Sequence, residues 1–329
     1  MHVVTEAVGG QGAAVDICQP FVLANGAFRG RFVRLTQSVT TILQRHADPH
    51  AVSELLCEAM TAAVALAGGL KYDGVFTFQA QGKGPVHTLV ADVTSKGELR
   101  AWAKFDSDKL ALELAKGHPE HLAAHLLGEG HLAFTVDQGQ DTERFQGIVE
   151  LVGGSIADSV HNYFRHSEQL ASALLIATAP PEAEGLSVWR ASALVIQRMP
   201  DHGGALALPI DEADDVWRTA VILMGSVTKK ELLDTSLSTE TLLYRLFGTI
   251  GVRALPPKHI SFGCRCSRAR SGRILASFPV DEVKSYADNG VVRMTCEFCR
   301  TDYAFSEADI NALASKARGM SEERITTCG

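Results

Sequence analysis

The stretch Phe262-Gly263-Cys264-Arg265-Cys266-Ser267, followed downstream by Cys296-Glu297-Phe298-Cys299, decides how this chain divides. Its two thiol pairs are separated by the 29 residues from Ser267 to Thr295. That spacing lets four thiolates converge on one tetrahedral ion, and zinc accepts such a shell. The same pairs could equally close as two disulfides.

Zinc takes only deprotonated sulfur, so four thiolates around Zn²⁺ leave a formal charge of about −2. Arg265, Arg268, Arg270 and Arg300 lie in or beside the ligand segments, where they could offset it. Basic surroundings also lower thiol pKa values and favour attack by oxidants once the metal loosens. Spacing alone fits an inert four-cysteine zinc ribbon. The C-x-C pair pulls the other way, because its sulfurs are too close in sequence to chelate without backbone strain. A disulfide between them closes a very small ring and is readily reduced. A permanent staple and a reversible switch both stand at this point.

Outward from the cysteines, Pro256-Pro257 breaks the chain just before the module. From Lys258 to Gly329 there are 11 Lys or Arg against 9 Asp or Glu, a mixed surface and not a basic one. Further upstream, Asp211 to Met224 and Thr239 to Phe247 have helical spacing, and a short helix could start at Thr228 to Glu231. Asp211, Glu212, Asp214 and Asp215 suit the first turn of the earlier helix, where the dipole favours negative charge.

The first ~200 residues read as a mixed α/β body. Thr36 to His46 and Val52 to Leu66 are helices, Gly74 onward is a hairpin around Gly82-Lys83-Gly84-Pro85, and Glu98 to Phe105 is a strand. A helix at Asp108 to Leu114 precedes strands near His131 to Asp137 and Phe145 to Val152. Ser155 caps a helix running through Val160 to Phe164, and strands follow at Leu170 to Ala177 and Ser187 to Met199. Met1 to Pro20 reads as a flexible extension without the pattern of a secretory signal.

The chain has 329 residues, 46% hydrophobic and 21% charged, with a net charge of −7. This is ordinary globular composition. It argues against a broad phosphate-binding surface. The longest uninterrupted apolar stretches, such as Ala62 to Leu70, fall short of the roughly 20 residues that span a bilayer. Without an export signal, the seven cysteines are expected in a reducing cytosol, as thiols, metal ligands or sensors.

Rival sites fall away on spacing. His118-Pro119-Glu120 matches the H-x-E of a zinc deaminase, but Thr295 stands where proline should precede Cys296, and the C-R-C pair would go unexplained. His118, His121 and His125 lack the glutamate of a zincin helix, and Gly82 to Pro85 lacks the Walker spacing. Ser155 is not in G-x-S-x-G, because Ala157 takes the last glycine position. Cys18 and Cys57 read as buried or incidental thiols, and Cys328 as a terminal one.

The residues then resemble a known family, the heat shock protein 33 chaperones. The resemblance rests on Cys264-Arg265-Cys266-Ser267 after Phe262, with a glycine inserted, and on Cys296 to Cys299 followed by Tyr303 and Phe305. It extends through Arg29-Gly30-Arg31, Lys71-Tyr72-Asp73-Gly74, Gln81 to Pro85, Phe145 to Val149, Tyr163-Phe164 with Ser167-Glu168-Gln169, Gln197 to Pro200 and Leu243 to Phe247. Roughly Phe21 to Ile310 is covered. The N-terminal extension and the thiols Cys18, Cys57 and Cys328 lie outside the pattern.

The resemblance implies an α+β protein with an α/β core domain at 21–205 behind the extension 1–20, a helical linker at 206–257 and a zinc-binding redox-switch domain at 258–329. It implies an ATP-independent holdase of the cytoplasm with no catalytic turnover and no nucleotide site. Cys264, Cys266, Cys296 and Cys299 would bind one Zn²⁺ in the reduced, inactive state. Oxidation would join Cys264 to Cys266 and Cys296 to Cys299 and release the zinc. Linker residues such as Val216, Val221, Ile222, Leu223, Leu232 and Leu233 would then meet unfolding clients under oxidative stress. The family also implies a homodimer in the active state, and neither nucleic acid nor membrane as partner. The competing readings are a zinc-ribbon nucleic-acid binder and a thiol-disulfide oxidoreductase using Cys296 and Cys299.

Overall fold

The computed structural model describes residues 15–117, 121–139, 145–165, 171–181, 187–199 and 210–315. By backbone contacts the chain divides into two units, Met1–Phe262 and Gly263–Gly329. The first unit opens with β1 (Ile17–Leu23), β2 (Phe28–Leu35), α1 (Gln37–His46) and α2 (His50–Ala67). Then come β3 (Val75–Gly82), β4 (Val86–Thr94), β5 (Glu98–Phe105), α3 (Ser107–Leu114), α4 (Leu122–Leu127), β6 (Gly130–Asp137), β7 (Phe145–Glu150) and α5 (Ile156–Tyr163). It closes with β8 (Ser172–Ala179), β9 (Arg190–Arg198), α6 (Ile210–Gly225), α7 (Lys229–Leu233), α8 (Thr239–Phe247), β10 (Val252–Ala254), β11 (Lys258–His259) and β12 (Ser261–Phe262).

These strands make two six-stranded sheets, one ordered β10-β1-β2-β9-β8 with β11 also on β1, the other β12-β5-β4-β3-β6-β7. Helix α2 lies between them. Its Leu55, Leu56 and Met60 share one core with Val33, Leu35 and Val195 of the first sheet and Phe78, Leu89 and Leu99 of the second. A helix apolar all round suits a position with a sheet on each side. Its 18 residues and mean hydropathy of 1.3 would also match a short membrane span, but here 83% of that length is buried in protein.

The first sheet is buried on both faces, which alternation along its strands achieves. Cys18, Val33, Leu35, Ala193 and Val195 face α2. Phe21, Leu23, Phe28, Phe32, Leu194 and Ile196 face the other way, against Ala220, Met224, Leu232, Leu242, Leu246 and Phe247 of α6, α7 and α8. Gly30 makes this face possible: a Cβ there would stand 2.0 Å from the Phe21 ring. The short helices start where the sequence says. Ser155 with Asp158, and Thr228 with Glu231, form capping boxes, and the Ser238 side chain accepts from the Thr241 amide.

Two boundaries differ from expectation. Ile17 to Pro20 are not part of a flexible extension but the first half of β1, paired with β2. The Asp16 carboxylate, 5% exposed, accepts from the Thr36 and Ser38 amides at 2.7 and 2.6 Å and so caps α1. Gln19 and Pro20 interrupt the apolar pattern and hide the strand from a periodicity reading. Lys258 to Phe262, expected in the cysteine module, instead add β11 to β1 and β12 to β5 within the first unit. Residues 1–14, 166–170, 200–209 and 316–329, with His118, Pro119, Glu120 and Cys328 among the singled-out positions, lie outside the described residues.

The second unit holds α9 (Arg268–Leu275), α10 (Val280–Ser285), β13 (Val291–Thr295) and β14 (Asp302–Ser306), with helix again over 307–315. Its core is small: Val283, Val292, Phe305 and Ile310 are buried, with partly buried neighbours such as Leu275 and Leu313 around them. Among the described residues, four buried apolar side chains are few to stabilise a unit of this length without a staple or a metal.

Candidate metal centre

Two turns bring the thiols together. Cys264 and Cys266 stand in the irregular run before α9, which begins where the Ser267 side chain accepts from the Arg270 amide at 3.2 Å. Strands β13 and β14 pair antiparallel up to Thr295 opposite Asp302, so residues 296–301 form the connecting loop. In that loop the Cys296 amide donates to the Thr301 carbonyl at 3.0 Å and the Arg300 amide to the Cys296 carbonyl at 2.8 Å. Arg300 takes a positive φ of 56° to close it.

The four Sγ atoms all lie within 4.8 Å of one another. Cys264 is 3.8 Å from Cys296 and Cys266 is 3.3 Å from Cys299. A tetrahedron with Zn–S bonds of 2.3 Å has edges of about 3.8 Å. The donor set and its spacing therefore fit a four-thiolate metal site. Cys299 is buried and the other three are partly exposed, which leaves the sulfurs open to small solutes.

Hydrogen bonds aim at sulfur as they do around metal-bound thiolates. Cys296 takes the amides of Cys299 and Phe298, though burial dominates and its pKa is raised. Burial also pushes the Cys266 thiol up to about 12, against the Tyr303 hydroxyl donating at 3.0 Å. For Cys299 burial is outweighed by the Thr301 hydroxyl, 3.3 Å away, and the Thr301 amide, which bring it down to about 7. A divalent ion would supply the charge that lets all four ionise.

Thr301 and Tyr303 are the contributors that motif reading missed as sulfur partners. The signal was the hairpin: a loop that closes a strand pair leaves its last residue and the start of the returning strand beside the sulfurs. Two of the four arginines, Arg268 and Arg300, have carboxylate partners of their own. Arg268 donates to Asp309 at 2.9 Å and to the Ala304 carbonyl at 3.1 Å, and lies 4.7 Å over the Phe305 ring. Arg300 stands 3.7 Å from Glu297. Both charges already have carboxylate partners and serve to tie the unit together.

A family model described as Hsp33 protein matches residues 16–306. The 33 kDa chaperonin of Caulobacter vibrioides is 34% identical over 293 residues, 89% of this chain and 95% of that protein. The chain belongs to the Hsp33 family of chaperones. The 33 kDa chaperonin of Pseudomonas fluorescens is 33% identical over 304 residues, 92% of this chain and 94% of that one. The fold matches the crystal structure of the 33 kDa chaperonin (heat shock protein 33 homolog) of Thermotoga maritima, with a TM-score of 0.75 over 93% of this chain and all of that one at 22% identity.

Within the Hsp33 fold the rival motifs have structural duties. Gly82 to Pro85 is the β3–β4 turn, where the Lys83 and Gly84 amides donate to the Glu129 and Leu127 carbonyls at 2.9 and 2.7 Å. Ser155 caps α5. His125 sits 3.3 Å from Glu113. Cys18 and Cys57 are buried, and burial raises both pKa values, Cys18 to about 11.

Proposed function

We propose that this Hsp33-family chain is an ATP-independent holdase of the cytoplasm, held inactive by one Zn²⁺ on Cys264, Cys266, Cys296 and Cys299 and activated by oxidants. The observation that carries the reading is the four-sulfur cluster within 4.8 Å on a unit with so small a core. Metal-binding free energy in such modules is folding free energy. Each disulfide removes two electrons from two thiolates. With peroxide as oxidant, one thiolate becomes a sulfenic acid, the second displaces hydroxide from it, and two peroxides serve both pairs. The four thiolates that would hold the zinc would then no longer be available to it.

The pairing decides the consequence. Disulfides across the segments, Cys264 to Cys296 or Cys266 to Cys299, would close loops of 32 or 33 residues and staple the unit by about 3–4 kcal/mol. Pairs within each segment, Cys264 with Cys266 and Cys296 with Cys299, leave the segments unlinked and the unit without its organiser. Activation by unfolding requires the second pattern. Peptide mapping of the oxidised chain should find those pairs, and cross-segment pairs would exclude unfolding as the trigger.

The client surface is the second consequence. Helices α6, α7 and α8 cover the face built from Phe21, Leu23, Phe28, Phe32, Leu194 and Ile196. Among the described residues few polar ties hold them: Ser192 Oγ donates to the Leu232 carbonyl at 2.7 Å, Arg34 to the Leu237 carbonyl at 2.9 Å, and Arg198 pairs with Asp214. The chain then returns through β10, β11 and β12, edge strands of three, two and two residues. Such short edges detach at low cost. Of the residues expected to form the client surface, Leu232 and Leu233 are buried, while Ile222 is 72% exposed. Exposure of the buried set follows oxidation. The homodimer is the proposed active form, and the net charge of −7 supports unfolding proteins over nucleic acid as clients. A dye that binds apolar surfaces should bind weakly to the reduced chain and strongly after peroxide, and unchanged binding would reject the exposure step.

A further inference from the structure

A cavity of about 200 Å³ opens at the C-terminal end of α2, wholly within the first unit. Phe76 of β3, Phe134 of β6 and Tyr163 of α5 line it, with Phe134 and Tyr163 edge to face at 4.7 Å. Arg31 of β2, which is buried, also lines it, as do Arg29 and Phe145, which are exposed.

Arg31 is the anomaly. It is 7% exposed, its Nη2 donates to Gln197 Oε1 at 2.5 Å, and its Nε has no partner among the described residues. Burial pulls its pKa down to about 10, so it stays charged at neutral pH, and among the described residues the one group acting on that charge is Cys18. Burial keeps that thiol protonated. The end of α2 helps in part. The Gly69 backbone is so close that a Cβ there would stand 2.0 Å from Arg31 Nη1. A helix C-terminus offers about half a charge spread over several carbonyls, which does not match a full buried cation. Buried charges in proteins are paired with an opposite charge.

We propose that this cavity binds a small carboxylate bearing one aromatic ring, with the carboxylate on Arg31 and the ring against Phe76, Phe134 and Tyr163. The guanidinium fork matches a carboxylate in two parallel hydrogen bonds, and aromatic walls take a ring in offset or edge-on contact. Size agrees: a cavity of about 150 Å³ holds benzene, which leaves room here for a carboxylate on a short arm. A free arylalkanoate and the C-terminal phenylalanine of a peptide carry the same chemistry.

The test is titration of the full reduced, zinc-loaded chain with 3-phenylpropanoate, with glycyl-phenylalanine and with the uncharged 3-phenylpropan-1-ol, followed by heat and by NMR. Saturable binding of at least one acid, about tenfold or more tighter than the alcohol, with ligand-ring NOEs to Phe134 and Tyr163, is expected. The better of the two acids identifies the source. Arg31→Met should abolish the preference for acid over alcohol, and Arg31→Lys should retain part of it. The alcohol comparison and the NOEs need no variant, so a misfolded Arg31→Met leaves the test intact. Equal affinity for acid and alcohol, no saturable binding of either acid, or contacts outside the cavity would overturn the proposal.

Discussion

Single side chains set the terms at the candidate metal centre. Cys299 is the most buried thiol of the four and the one that hydrogen bonds bring down to about 7. Cys299→Ser should lose bound zinc and unfold the second unit while leaving the first folded, because zinc binding in small modules is worth on the order of 10 kcal/mol. Zinc content by colorimetric chelation, with circular dichroism, checks this, and full zinc retention would contradict it. Glu58 on α2 supplies a pH signature in the other unit. Burial raises its pKa to about 7, against the amides of Ala157 and Ile156 that donate to it. The folded protein therefore holds this proton more tightly than the unfolded chain. The contribution is fully present below about pH 4.5 and is lost as pH rises through about 7. Glu58→Gln should raise stability by on the order of 3 kcal/mol near pH 8 and by progressively less toward pH 5, as read from urea midpoints. A constant offset across that range would remove burial as the cause. That Cys264, Cys266, Cys296 and Cys299 could converge was legible in the sequence because each pair's spacing is local. Thr301 and Tyr303 were not read as sulfur partners, because hairpin register decides which residues stand beside a sulfur.

Helices and strands carry the proposed switch. α8 matches the range Thr239 to Phe247 read from its apolar spacing, and β5 matches Glu98 to Phe105. Both have one apolar face, so their periods survive in the sequence. β1 and β2 were hidden for the opposite reason. Their sheet is buried on both sides, and Gln19, Arg31 and Arg34 are buried polar residues that break the alternation. The first helix of the linker region was read correctly in extent, but the face it covers was not legible, since sheet order is not encoded in local pattern. Phe247 on α8 is fully buried and stacks on Phe21 at 5.8 Å. Phe247→Ala should loosen the linker by about 3–5 kcal/mol and raise dye binding and client protection in the reduced state, with zinc still bound. Gain of protection only together with zinc loss would contradict the division of labour between linker and lock. In the same sheet, Gly30→Ala should lower stability by about 1–3 kcal/mol, measured by thermal melting, because the new Cβ meets the Phe21 ring.

At the scale of the whole molecule, two units of unequal strength share one chain. The first has two sheets and a central helix with fully buried large residues, whereas the described residues of the second contribute a core of four buried apolar side chains beside four clustered thiols. Oxidation is expected to dissolve the weaker unit and leave the stronger one as the scaffold that presents the uncovered sheet face. The succession of strands, then α6 to α8, then the cysteine segments follows differences in local composition that the sequence displays. The boundary near 262 was not, because Lys258 to Phe262 join the first unit only through pairing with distant strands. The most direct test follows aggregation of a heat-denatured client beside released zinc, for the reduced zinc-loaded chain, the peroxide-treated chain and the treated chain after reduction with zinc restored. The expected result is protection in the oxidised state alone, appearing with stoichiometric zinc release and lost on reduction. Equal protection by the reduced and oxidised chains, with zinc retained in both, would contradict the switch.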